Sequence, residues 1–154
     1  MVTKVRGGFS SIEGTIQVGE NPADSIVDVI IDTASVSTGD PDRDGHIKSA
    51  DFFDVDKYPE MRFVSTAVRA DGSSWTLDGD LTIKGVAKPV NLAFEFVGLV
   101  TDPWGNQKAA FSAATTIDRE DWDLNWNVAL ETGGVLVSKK ITIEIEMQAV
   151  PANG

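Results

Sequence analysis

The chain has 154 residues, a length typical of one domain that can bury a sizeable core. It contains no cysteine, which excludes disulfides, thiolate metal sites and cysteine catalysis. Its 24 acidic and 13 basic residues give a net charge of −11, so nucleic acid is not an expected partner. No apolar stretch approaches the roughly 20 residues of a membrane span, so no membrane span is expected.

Alternating apolar and polar residues predict β-strands along most of the chain. Such alternation indicates strands with one buried and one solvent-facing side. It favours antiparallel pairing, because parallel strands bury both faces and are continuously apolar. The predicted strands span residues 5–19, 25–37, 60–70, 74–83, 86–101, 107–118 and 135–149.

Turn signals separate these strands at short spacing. Asp71-Gly72 and Lys84-Gly85 suit tight hairpins. We therefore predict one soluble all-β domain over residues 1–150, followed by a flexible tail at 151–154. The alternation does not distinguish a sandwich with a solid core from a barrel that holds a small ligand.

Two segments depart from the alternation. In the connection 39–59, a short helix is predicted over Asp42–Ser49, and two adjacent aromatics follow at Phe52-Phe53. A long structured connection of this kind often carries function or covers an opening. The second irregular segment is 118–126.

Few residues are candidates for chemistry. His46 is the only histidine, and its simplest role is to satisfy backbone groups within the connection. The aspartates within Asp40–Asp44 are spaced somewhat like a calcium loop, but Asp51 stands where such a loop needs glutamate. No phosphate-binding glycine motif or nucleophilic serine elbow occurs. We predict no catalytic residue, no metal and no cofactor.

Several sequence blocks together form a recognisable signature. In chain order they are Val-Ser-Thr-Gly at 36–39, Arg-Asp-Gly-His-Ile-Lys-Ser-Ala-Asp-Phe-Phe-Asp-Val at 43–55, Tyr-Pro at 58–59, Phe-Val-Ser-Thr at 63–66, Gly-Asp-Leu-Thr-Ile-Lys-Gly-Val at 79–86, Lys-Pro-Val at 88–90 and Ile-Asp-Arg-Glu-Asp-Trp at 117–122. With these blocks in this order, the chain resembles the bacterial YceI-like family from about Val5 to Val150.

The resemblance implies an antiparallel, up-and-down, lipocalin-like β-barrel of eight strands with short helical connections. It also implies a binding or carrier protein rather than an enzyme, with a polyisoprenoid or similar lipid in the apolar interior. The ligand would then contact inward-facing apolar side chains. The candidates are Val29, Ile31, Phe63, Leu77, Leu81, Leu92, Phe94, Phe96, Phe111, Ile141 and Ile143.

The charged and aromatic residues of the signature are interpreted as architectural, as is His46. Arg43 and Asp44 are expected to form an ion pair that fixes the long connection. Phe52 and Phe53 are expected to pack this connection against one end of the barrel, and Arg119 to donate to carbonyls of segment 118–126.

The N-terminus departs from the family pattern. Members ordinarily have a strand before Val5, and this chain begins where that strand would finish. Strands 5–19 and 135–149 would then pair directly, remain as edges, or borrow a strand from another subunit in a homodimer. Met1–Gly8 shows no signal peptide, so a cytoplasmic location is expected for the chain as it stands. A periplasmic or extracellular location is expected if a leader has been removed.

Two other functions remain open on the sequence. An enzyme acting on a lipophilic substrate would need an inward polar cluster, for which Ser65 and Thr115 are the nearest candidates. A protein with a filled core could instead use an exposed sheet edge to bind a partner strand. Asp123 is a second departure from the family pattern, because many members have glycine there. A left-handed backbone at this position costs aspartate less than most residues.

Overall fold

The structure is a computed structural model that describes residues 7–17, 20, 22–50, 52–71, 74–124 and 140–150. Its strands are β1 (Gly8–Phe9), β2 (Ile12–Gln17), β3 (Ile26–Asp32), β4 (Val36–Ser37), β5 (Glu60–Asp71), β6 (Ser74–Ile83), β7 (Val86–Thr101), β8 (Gln107–Asp118) and β9 (Lys140–Ala149). The α-helix α1 spans Pro41–Lys48, and 3-10 turns occur at Pro22–Asp24, Thr33–Ser35 and Arg119–Trp122. No helix in these ranges is long and apolar enough to cross a membrane.

The main sheet has seven strands in the order β2-β3-β5-β6-β7-β8-β9. Every neighbouring pair is antiparallel, and the sheet curls into a half-barrel. The short strands β1 and β4 pair separately. The predicted all-β, lipocalin-like class is therefore confirmed. Within the described ranges, β2 and β9 each pair with a single strand, so they form the two edges of the sheet.

The four central predicted strands match β5 to β8 to within one residue. Of the predicted strand 135–149, the structure describes β9, and residues 135–139 lie outside the described ranges. The predicted strands 5–19 and 25–37 are each broken in two. At the break, Asp32 Oδ1 accepts from the backbone N–H of Ala34, and Ser35 Oγ donates to the Asp32 carbonyl. Such local side-chain bonds compete with the strand ladder, which alternation alone does not reveal.

The connection 39–59 is packed onto the sheet. Asp40 caps α1 by accepting from the backbone N–H groups of Asp42 and Arg43, and Pro41 occupies the first turn. After the helix, the chain folds back through a hydrogen bond from Phe53 N–H to the Ile47 carbonyl (2.9 Å). Ile47 and Phe52 are thereby buried in the same core cluster as the sheet residues.

The core lies on one face of the sheet, here called the inner face, which carries Val29, Phe63 and Leu77. The register places Val29 opposite Phe63 and Phe63 opposite Leu81. Leu77 lies opposite Leu92 on the next strand pair. These residues are all buried, so alternate positions of four adjacent strands build one continuous apolar surface.

Candidate ligand-binding face

The strand register brings all the predicted ligand-contacting residues onto the inner face. Across β7, β8 and β9, Phe94 lies opposite Ala113, which lies opposite Ile145. One step further along, Phe96 lies opposite Phe111. Ile31 on β3 and Ile141 and Ile143 on β9 also point to the inner face. The predicted contact residues therefore extend over six of the seven strands, from β3 to β9.

The inner face is not uniformly covered. At one end, here called the closed end, Val29, Phe63 and Leu81 are buried together with Trp122. Leu77 and Leu92 lie beside this end and are also buried. At the other end, here called the aromatic end, Phe94, Phe111 and Ile145 are half-buried and Phe96 is exposed. The predicted contact residues therefore divide into a filled part and an accessible part.

The 3-10 turn Arg119–Trp122 and the residues after it cover the closed end. Asp118 caps the turn by accepting from Glu120 N–H. Asp123, which directly follows the turn, has a left-handed backbone conformation with φ 60°. Buried Arg119 donates through Nη1 to the Leu124 carbonyl. Trp122 Nε1 donates to the Leu81 carbonyl at 2.9 Å. These bonds hold the Trp122 and Leu124 side chains in the core with their polar groups satisfied.

Gly79 makes room for the Phe63 ring at the closed end. It occupies an inner-face position of β6 opposite Ser65. A Cβ at this position would overlap the Phe63 ring and lie 2.5 Å from the Val64 carbonyl oxygen. The Phe63 ring therefore packs directly on the Gly79 backbone, which only glycine permits.

The architectural residues of the connection meet at Thr38. Asp44 accepts from the Thr38 backbone N–H (2.8 Å) and hydroxyl (2.6 Å). Arg43 donates through Nε to the Thr38 hydroxyl and through Nη2 to the Thr38 carbonyl. Arg43 and Asp44 are thus joined through Thr38, and the expected ion pair between them stays a prediction. The Thr38 hydroxyl bond is the largest cause that lowers the pKa of Asp44.

The paired phenylalanines carry the connection into the core. Phe52 is buried and packs edge-to-face on Phe53, with ring centroids 4.9 Å apart. Phe53 packs edge-to-face on Phe9 of β1, with ring centroids 5.8 Å apart.

His46 is exposed in the last turn of α1, and its carbonyl accepts from the backbone N–H and the hydroxyl of Ser49.

The aromatic end consists of stacked rings beside an aliphatic strand. Phe94 and Phe111 are stacked with centroids 5.2 Å apart, and Phe96 lies 5.5 Å from Phe111. On β9, Ile145 packs against the core. Ile145 and Met147 share the alternation of Ile141 and Ile143, although they were not among the predicted contact residues.

Charged groups with lowered pKa values lie away from the inner face. On the outer face, hydrogen bonds from Arg62 lower the pKa of Asp28, and those from Arg69 lower the pKa of Asp78. A shallow depression of about 460 Å³ on the outer side of β6 to β9 is rimmed by Glu95, Glu144 and Glu146. These carboxylates disfavour an apolar ligand there. Within the described ranges, no group of three or more acidic or histidine side chains could hold a metal ion.

In the part of the chain that the structure describes, the candidate inward polar residues Ser65 and Thr115 are hydroxyl groups and not titratable side chains. Ser65 Oγ accepts from the backbone N–H of Val27 at 2.8 Å, which satisfies a strand amide beside a bulge. Thr115 is half-buried opposite Ile143. Hydroxyls placed this way complete the packing and the hydrogen bonding of the sheet.

Comparison with known proteins gives a consistent result. The model of the YceI-like domain matches residues 1–149. The UPF0312 protein ECA1782 of Pectobacterium atrosepticum is 38% identical over 141 residues, which is 91% of this chain and 71% of that protein. Protein YceI of Escherichia coli O157:H7 is 43% identical over 119 residues, 77% of this chain. The match spans 62% of the length of that relative.

Solved structures share the fold. The crystal structure of Campylobacter jejuni YceI superposes with a TM-score of 0.79 at 32% identity, covering 97% of this chain and 86% of that one. A polyisoprenoid binding domain from Saccharophagus degradans has a TM-score of 0.61 at 15% identity, covering 94% and 85%. The match of the family model over nearly the whole sequence shows that this chain belongs to the YceI-like family.

Proposed function

We propose that this chain binds a hydrophobic molecule, a polyisoprenoid or similar lipid, on the inner face of its half-barrel. The observation that carries the proposal is the aromatic end, where Phe94, Phe96 and Phe111 form an apolar surface that the described residues leave partly uncovered. The polyisoprenoid binding domain of Saccharophagus degradans has the same fold and supports this class of ligand.

The ligand first contacts the half-buried residues rather than the whole predicted set. Phe94, Phe111 and Ile143 line the accessible part, whereas Phe63 and Leu81 already belong to the packed core. An apolar chain gains about 25 cal/mol per Å² that it buries, and this gain is spread over every contact. Loss of one ring therefore weakens binding without abolishing it.

An enzymatic role on a lipophilic substrate finds less support. Acid–base chemistry needs a titratable group at the reacting atoms, with its pKa tuned by its surroundings. The lowered pKa values of Asp28 and Asp78 instead arise from arginine partners on the outer face. We therefore propose a carrier or sequestering role.

The test is binding of a fluorescent polyisoprenoid analogue, together with native mass spectrometry of the gently purified protein. The Phe94→Ala, Phe111→Ala double variant should bind the analogue about tenfold more weakly, because two stacked rings no longer cover it. The matched control is Thr116→Ala, Thr142→Ala, which removes an outer-face pair whose hydroxyls lie 3.4 Å apart. Equal affinity of both variants and the unmodified chain, or no binding by that chain, would overturn the proposal.

A further inference from the structure

The end of the β7–β8 hairpin projects apolar side chains into solvent. The part from residue 97 to residue 108, here called the hairpin tip, includes Val97 (63% exposed), Leu99 (64%), Val100 (40%) and Trp104 (83%). Earlier in the same strand, Leu92 is buried. Exposed large apolar residues clustered at one place in this way mark an interaction site.

The exposed residues face both sides of the hairpin. The register shifts between Phe96 and Gly98, and beyond the shift Leu99 lies opposite Ala109 on the inner side. Val100 lies opposite Lys108 on the outer side. A protein partner would cover one side of a two-stranded ribbon, whereas the apolar layer of a lipid surface surrounds a ribbon on both sides.

The hairpin tip is held together by backbone pairing between its two strands and by hydrogen bonds in its turn. Residues 98–101 pair with residues 107–110. In the turn, Asp102 Oδ1 accepts from the backbone N–H groups of Trp104 and Asn106, both at 2.9 Å, and Asp102 N–H donates to the Asn106 carbonyl. Within the described residues the tip extends beyond the flanking strands β6 and β9, so its outward-facing peptide groups need water and restrict docking to the hydrated headgroup region.

The charge of the hairpin tip matches a neutral surface. Within residues 97–108 the charged side chains are Asp102 and Lys108, so the tip is neutral on a chain of net charge −11. Anionic lipid would repel the rest of the chain, while a zwitterionic surface would not. An exposed tryptophan beside charged groups suits the boundary between lipid headgroups and acyl chains.

The aromatic end continues into the hairpin tip. The rings of Phe94, Phe111 and Phe96 form a contiguous series along β7 and β8, and Phe96 immediately precedes Val97. A molecule leaving a lipid layer at the tip would thus meet these rings first. The arrangement places the exposed tip and the proposed ligand face on one continuous apolar path.

We propose that the hairpin tip docks in the headgroup region of a zwitterionic lipid bilayer, so that a lipophilic ligand passes between the bilayer and the aromatic end. The inference rests on the proposed function, since it names the source from which the carrier takes its ligand. Docking is shallow and reversible, because a few side chains enter the interface and Asp102 stays at headgroup depth.

The test is co-sedimentation of the full chain with phosphatidylcholine vesicles, using the variant Leu99→Thr, Val100→Thr, Trp104→Ser. Threonine keeps the strand preference while removing apolar surface. The partition coefficient should fall about tenfold or more in this variant. The matched control is Ile26→Thr, Val150→Thr, which removes two apolar residues that are 48% and 60% exposed elsewhere. This control should bind vesicles as the unmodified chain does.

The outcomes separate the docking proposal from the function proposal. Retained binding of the fluorescent polyisoprenoid analogue without vesicles, together with lost vesicle binding, supports docking by the tip. Vesicle binding that is equal in the tip variant and the unmodified chain, or seen only with cationic lipid, overturns it. A dimer that the tip variant converts to a monomer in light scattering also overturns it, in favour of a second copy as the occupant. Failure of the analogue to bind, with vesicle docking intact, removes the proposed ligand and leaves the docking site.

Discussion

The closed end and the aromatic end of the inner face are built from the same kind of strand, yet only one of them is filled. Phe63 and Phe111 occupy equivalent alternating positions, and the first is buried while the second is half-buried. The difference arises outside the strands, because the turn that carries Trp122 covers the closed end. Alternation thus creates an apolar face, and the connecting segments decide which part of it a ligand can reach.

The largest expected effect comes from removing the cover of the closed end. Trp122→Ala should lower the free energy of unfolding by about 3–5 kcal/mol, because it opens a large cavity in the core and leaves the Leu81 carbonyl without its donor. Urea denaturation measures this change. Trp104→Ala is the matched control, since Trp104 is 83% exposed, and it should change stability by less than about 0.5 kcal/mol. Similar losses in the two variants would contradict the assignment of Trp122 as the cover.

A second effect tests how tightly the closed end is packed. Gly79→Ala should lower the free energy of unfolding by about 1–3 kcal/mol, because the new methyl group meets the Phe63 ring and the Val64 carbonyl. Gly45→Ala is the control, since nothing lies within 4 Å of a Cβ there. As a helical position, it should gain about 0.5–1 kcal/mol. Thermal unfolding of both variants checks the pair, and no loss in Gly79→Ala would show that the closed end can relax.

A third effect concerns the anchor at Thr38, where Arg43 and Asp44 fix the connection 39–59. Thr38→Val removes the hydroxyl that donates to Asp44 and accepts from Arg43, and it should cost about 1 kcal/mol near neutral pH. Urea denaturation at pH 7 measures this loss. Thr116→Val, on the exposed outer face, should change stability by less than about 0.5 kcal/mol.

The same anchor predicts a pH dependence. Because folding lowers the pKa of Asp44 below its ordinary value of 3.8, its stabilisation is present above that value. It is lost as the pH falls from 3.8 through the lowered folded pKa. The acid unfolding curve of Thr38→Val should therefore fall less steeply below about pH 4 than that of the unmodified chain. Identical slopes would mean that Asp44 does not contribute through Thr38.

The elements of the fold that depend on the local order of apolar and polar residues could be predicted from the sequence. The central strands and the shared face of the contact residues follow from alternation and turn signals, and the short helix was predicted where the alternation is interrupted. The breaks at Ser10-Ser11 and Thr33–Ser35 were missed, because alternation does not reveal side-chain hydrogen bonds. Those from Ala34 N–H and Ser35 Oγ to Asp32 are local, and that from Ser11 N–H to Ser35 Oγ joins distant residues. The meeting of Arg43 and Asp44 at Thr38 was missed because it depends on how the chain turns between Thr38 and α1, which the order of residue types does not specify.

The division of the inner face could not be predicted from the strands themselves. Period-two alternation places Leu81 and Phe96 on the same face but contains no information on what lies above each. That depends on the tertiary path of the segment after β8, where Arg119 and the left-handed Asp123 direct Trp122 onto the sheet. Burial within a face is therefore a property of the covering segments.

The smallest expected effect sharpens the comparison most directly. Phe96 is 51% exposed, so Phe96→Ala should change the free energy of unfolding by no more than about 0.5 kcal/mol. The same substitution should weaken binding of the fluorescent polyisoprenoid analogue by about threefold, because it removes apolar area that a ligand would cover. Phe63→Ala, at the closed end, should show the opposite balance, with a loss of stability of about 3–5 kcal/mol. If Phe96→Ala instead destabilises the fold and leaves the affinity unchanged, the aromatic end is part of the core, and the ligand contacts another part of the inner face.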